Sequence, residues 1–175
     1  MKIFVGFILL ALSFHACSQR LTEEELSSRR MAQTVVDKYL GDLVQNKNYI
    51  VFSSGDDQFL ILVENEDSYH EYYIDKSNGM DQVIRRDTII EANNDLFTKM
   101  FESTSYRRDY ISFRSDFYKD GYEISSGNIT YFALVTSDGT RLGESRLSMF
   151  VKPTPMDAKI YLYFVERLLA NAGKS

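Results

Sequence analysis

Few side chains in this sequence could do chemistry at neutral pH. There are two histidines, His15 and His70, and one cysteine, Cys17. His15 lies in the N-terminal apolar segment, which leaves His70 alone in the body of the chain. It sits in Tyr69-His70-Glu71-Tyr72-Tyr73. As a base or a ligand it would need support from Glu71 or Glu66. Adjacent residues on a strand point to opposite faces, so Glu71 cannot orient it, and His70 reads as a surface strand residue among tyrosines. A zinc site needs several His or Cys ligands, and none stand beside it. A Ser-His-acid triad would have only His70 as its base, and no serine stands in Gly-x-Ser-x-Gly. Ser53-Ser54-Gly55 and Ser125-Ser126-Gly127 read as turns.

Carboxylates are more plentiful. Asp56-Asp57 and Glu64, Glu66 and Asp67 fall in turns and read as solvated. A carboxylate-based hydrolase would bring two of Glu64, Glu66 and Asp116 to within about 5–10 Å of each other. Asp75-Lys76-Ser77-Asn78-Gly79-Met80-Asp81 has a calcium-loop flavour, but its glycine falls one place early. Arg107, Arg114 and Arg146 could gather around an anion if their strands converge; otherwise they balance charge on an acidic surface. No glycine-rich phosphate loop is present. Tyrosine is the one excess with a functional flavour: twelve are present, against no tryptophan. Exposed tyrosines bind glycans or partner proteins, although tyrosine also simply suits strands. The candidate ligand-binding set is Tyr69, Tyr72, Tyr73, Tyr110 and Arg114.

The elements that must position these residues follow from periodicity. Thr22-Glu23-Glu24-Glu25 is a capping box, and a stripe from Ala32 to Val44 at helical spacing predicts a helix over 23–45. Four strands follow: 49–53, 59–63, 69–74 and 83–90. The turns between them are Ser54-Gly55-Asp56-Asp57, Glu64-Asn65-Glu66-Asp67 and Ser77-Asn78-Gly79. Asn93-Asn94-Asp95 caps a short helix carrying Leu96, Phe97, Met100 and Phe101. A second strand block spans 110–118, a segment between Asp120-Gly121 and Asn128, 129–136 and 141–151, with Asp138-Gly139 as the last hairpin turn. Thr154-Pro155-Met156-Asp157 starts a terminal helix with Met156, Ile160, Tyr163, Phe164, Arg167 and Leu168 in one sector; Gly173 stops it. The order is α-ββββ-α-ββββ-α, an α+β fold with antiparallel meander sheets and helices packed on one face.

Before all this comes Met1-Lys2, an apolar run from Ile3 to Leu12, then Ser13-Phe14-His15-Ala16-Cys17. A basic start, a short apolar core and a small residue before a cut are the parts of a secretory signal. The run is too short for a bilayer, which needs about 20 residues. With Leu12, Ser13 and Ala16 ahead of the cysteine, the segment resembles a bacterial lipoprotein signal. Phe14 and His15 depart from its usual pattern. The resemblance implies that residues 1–16 are removed and that Cys17 is acylated on sulfur as the mature N-terminus. Ser18 in place of aspartate implies the outer membrane. An ordinary signal peptidase could instead cut before Gln19, giving plain secretion.

On this reading residues 17–21 are a lipidated end and a short tether, and 22–175 form a single domain. Removing residues 1–16 takes away one lysine and no acid, so the formal charge moves from −5 to −6. Such a chain is a poor candidate for nucleic acid. With Cys17 consumed, disulfides and cysteine catalysis are excluded, and no cofactor is implied. The expected function is a membrane-anchored, non-enzymatic binding or interaction module whose partner is an envelope protein or a small ligand. The alternative is the carboxylate hydrolase.

Overall fold

A computed structural model describes residues 23–66, 68–77, 82–86, 94–102, 123–124, 129–148, 151–152 and 158–172. The described elements, in chain order, are α1 (Glu23–Leu40), β1 (Tyr49–Ser54), β2 (Gln58–Asn65), β3 (Ser68–Asp75), β4 (Gln82–Arg86), α2 (Asn94–Glu102), β5 (Glu123–Ile124), β6 (Ile129–Val135), β7 (Arg141–Ser148), β8 (Val151–Lys152) and α3 (Ala158–Ala172). The fold is α+β. An antiparallel sheet runs β4-β3-β2-β1-β6-β7, and β5 pairs with β8 apart from it. The expected strand at 110–118 and the Asn78-Gly79 turn lie outside the described residues.

The two strand blocks are one sheet. β1 is the seam: Val51 stands opposite both Ile61 of β2 and Ala133 of β6. Alternation along the strands explains what lies on each face. Ile50, Phe52, Leu60, Leu62, Tyr69, Tyr73, Phe132 and Leu134 point one way and pack with Phe97 and Met100 of α2 and Phe164 and Leu168 of α3. Val51, Phe59, Ile61, Val63, Tyr72, Ile74, Tyr131 and Ala133 point the other way and pack with Ala32, Val35, Val36 and Leu40 of α1. The expectation of helices on one face therefore fails. Strands such as Phe59-Leu60-Ile61-Leu62-Val63 are apolar at every position, so neither face can be left to water. α1 covers one and α2 and α3 cover the other.

Phe164 is the hub of the two-helix face. Its ring lies 5.0 Å from that of Phe52, 5.6 Å from Phe132 and 6.1 Å from Phe97. α1 stops at Leu40, five residues before the end its stripe suggested. Gly41 follows, where a Cβ would stand 3.0 Å from the Asp37 carbonyl oxygen. The N–H groups of Leu43 and Val44 then both bond back to the Leu40 carbonyl in a closing turn.

Candidate functional site

Three loops meet at one end of the sheet. They are the α1–β1 loop (41–48), the β2–β3 turn (65–68) and the β6–β7 turn (136–140). The register puts them together: Tyr49 opens β1 beside Val63 and Val135, so the chain on either side of those residues converges. Asn48 ties all three. Its Nδ2 donates to Glu64 Oε2 at 2.7 Å, and its Oδ1 accepts from the Ser137 N–H at 2.9 Å. Its carbonyl accepts from the Glu64 N–H at 2.9 Å. Lys47 Nζ donates to Asn65 Oδ1 at 3.1 Å, and Asn65 Nδ2 lies 3.2 Å from His70 Nε2. An amide N–H aimed at that nitrogen leaves the ring proton of neutral His70 on Nδ1. In the β6–β7 turn Asp138 Oδ1 accepts from the Thr140 N–H at 2.9 Å and from the Thr136 hydroxyl at 2.5 Å. Those bonds favour the carboxylate and hold its pKa below the usual range.

Both non-glycine residues with left-handed backbone among the described residues sit here, Asn46 at φ 58° and Glu66 at φ 54°. Asparagine tolerates that conformation; glutamate does so at a cost of about 1–2 kcal/mol. The outer rim is exposed at Asp42, Leu43, Gln45, Asn46, Glu66, Ser137 and Asp138. Leu43, 43% exposed, is one of the few large apolar side chains the described residues leave in water. The result is a polar surface with one apolar point, its three loops tied together by side-chain hydrogen bonds.

Among the described residues, two ion pairs fasten helices to the sheet elsewhere. On the α1 face Arg29 makes a two-toothed contact with Glu144 of β7, Nε to Oε2 at 2.9 Å and the second nitrogen to Oε1. Tyr131 Oη donates to the same carboxylate at 2.8 Å, and Arg141 donates to Gln33 Oε1 at 2.5 Å. On the other face Arg167 of α3 grips Glu71 of β3 through bonds of 2.7 and 2.6 Å. Glu71 is 1% exposed, and Asn171 Nδ2 lies 3.5 Å from its Oε1. The carboxylate bonds outweigh burial and raise the pKa of both guanidinium groups. Asp75, also buried, is pushed up by desolvation but held below the usual carboxylate range by bonds from the Ser77 hydroxyl and N–H and from Tyr73.

The expected site residues are placed as follows. Tyr69, Tyr72 and Tyr73 are 2%, 4% and 0% exposed. They are core residues split between the two faces, Tyr72 against α1 and the others against α2 and α3. The exposed tyrosine platform does not hold for these three, because strands covered on both sides use tyrosine as core. Tyr110, Arg114, Asp116, Arg107 and Cys17 lie outside the described residues. Glu64 is bound by Asn48 and Glu66 is exposed on the turn beyond it. His70 is half-buried among the loops, and no group of three His, Cys, Asp or Glu among the described residues could hold a metal ion. No described helix is long and apolar enough to cross a membrane.

Arg29 lies off the apolar stripe of α1, where a charge ordinarily points to water, and it is an ion-pair partner instead. Glu71 enters the sequence reading only as a rejected support for His70, and Glu144 does not enter it. The one available signal was Arg167, a charge inside an apolar helical sector, which calls for a buried carboxylate. No family model matches the chain, and neither a curated protein nor a solved structure does.

Proposed function

We propose that the chain is a lipid-anchored extracytoplasmic binding or interaction module, held by an acylated Cys17 to the cell envelope, with the outer membrane as its favoured destination. The loop surface around Asn48 is its recognition face. One observation carries this assignment: side chains of one loop pin the other two, so an exposed surface is pre-organised, and pre-organisation reduces the ordering cost of binding a partner. The N-terminal segment supports the anchor, with its basic start, short apolar run and Ala16-Cys17.

Two measurements test the two halves. The intact mass of protein purified from bacterial membranes should equal residues 17–175 plus diacylglyceryl and acyl groups, and Cys17→Ala should lose them. A chain beginning at Gln19 overturns the anchor. Photo-crosslinking side chains at Glu66 and Ser137 in cells should capture an envelope protein, while Asp56 at the opposite end of the sheet should capture none. Equal capture from both ends refutes the recognition face.

A further inference from the structure

We infer that the domain stands on the bilayer with the loop surface outermost, the turn between β1 and β2 lying nearest the lipid. This rests on the acylation of Cys17 proposed above, and the direction comes from α1. Along the helix, Arg29 meets Glu144 and Gln33 meets Arg141. Along β7 those partners come in the reverse order, so α1 runs antiparallel to β7. It therefore runs antiparallel to β1 as well, since β1 and β7 both pair antiparallel with β6. The start of α1, at Glu23, thus lies toward the end of the sheet where β1 finishes, β2 begins and β3 finishes. That end carries Ser54, Gly55, Asp56, Asp57, Lys76 and Ser77. The end of α1 leads into the Asn48 loops.

Chain length makes the direction matter. Five residues, Ser18 to Thr22, separate Cys17 from the start of α1, and they reach at most about 18 Å when fully extended. The strand ends are separated by more than that: Gln58 and Asn65 close opposite ends of β2, and at about 3.3 Å per residue they stand about 23 Å apart. A tether shorter than the sheet keeps the Asp56 end close to the headgroups and lifts Ser137 well clear. The near end exposes Glu23, Asp56 and Asp57, which gives it no attraction for anionic lipid.

The chain's one cysteine is consumed by the lipid, so an introduced thiol can be labelled alone. Lipidated Asp56→Cys and Ser137→Cys proteins, each carrying a fluorophore, would be placed in phosphatidylcholine vesicles containing a nitroxide on the headgroup. Both positions lie on exposed turns, and Gln45→Cys gives a second outer position. Quenching several-fold stronger at Asp56 than at Ser137 and Gln45 is expected. Equal quenching, or stronger quenching at Ser137, in protein whose mass proves Cys17 acylated overturns the orientation alone. A mass without lipid overturns the anchor and this inference with it.

Discussion

Raising the pH should unfold this protein through its tyrosines. Tyr69, Tyr73 and Tyr131 are buried, and desolvation pushes their hydroxyls well above the ordinary range; Glu64, Asp75 and Glu144 respectively add to it. Tyr49 and Tyr163 move the same way, chiefly through burial. A hydroxyl that ionises in the unfolded chain but not in the folded one contributes stability that is whole below the unfolded pKa of about 10. That stability drains away as the pH climbs past it. At pH 11, one unit above, each such group costs about 1.4 kcal/mol. The three fully buried ones together remove about 4 kcal/mol from a total that is typically about 5–15 kcal/mol. Arginine stays charged throughout, so the ion pairs do not release first. Because the chain has twelve tyrosines and no tryptophan, tyrosinate absorbance reads this directly. The buried set should ionise only together with loss of the circular dichroism signal. A single class of tyrosines ionising at about pH 10 while the dichroism stays native would refute the reasoning.

Further outcomes follow from the fasteners and the loops. Arg167→Met should cost about 3–5 kcal/mol in urea unfolding, because Glu71 stays buried without its guanidinium; adding Glu71→Leu should recover most of it. If the double variant is as unstable as the single one, desolvation of Glu71 is not the cause. Phe164→Ala should cost about 3–5 kcal/mol, since three aromatic rings lose their common neighbour. Glu66→Gly should raise stability by about 1 kcal/mol by removing the left-handed strain; a loss would mean the glutamate side chain contributes more than its backbone costs. Asn48→Ala should destabilise by about 1–2 kcal/mol and speed hydrogen exchange at the Ser137 amide, while the β3–β4 amides at the far edge stay as protected as before.

The strands and their hairpins were legible because each signal is local. Val, Ile, Tyr and Phe run together between turn residues, and Asp138-Gly139 delivers a turn with Gly139 at φ 82°. The helical stripes of α1 and α3 were equally plain. Pairing of β1 with β6 was not, because nothing in Tyr49–Ser54 says whether its second neighbour is near or far in sequence. The two-sided cover was in fact written in the unbroken apolar run at Phe59–Val63, which an α-helix on one face alone cannot satisfy. The ion pairs were hidden for the same reason as the sheet seam. Arg29 and Glu144 lie 115 residues apart and Glu71 and Arg167 lie 96 apart, so no spacing rule connects them. The Asn48 surface escaped notice because Asn46-Lys47-Asn48 reads as an ordinary helix stop; only the fold brings Glu64 and Ser137 to it.

The seam at β1 also sets the order in which the protein can form. β1, β2, β3 and β4 join through short turns and can assemble as a local unit while the rest of the chain is still open. The β1–β6 ladder is different: Tyr49 must find Val135 across roughly 86 residues of chain. Closing that loop costs entropy before any contact across the seam repays it, and such non-local pairings are slow. Until it closes, β1 is an edge strand with both faces apolar, the kind of edge that pairs with other chains. The vulnerable intermediate is therefore a meander waiting for β6 and β7.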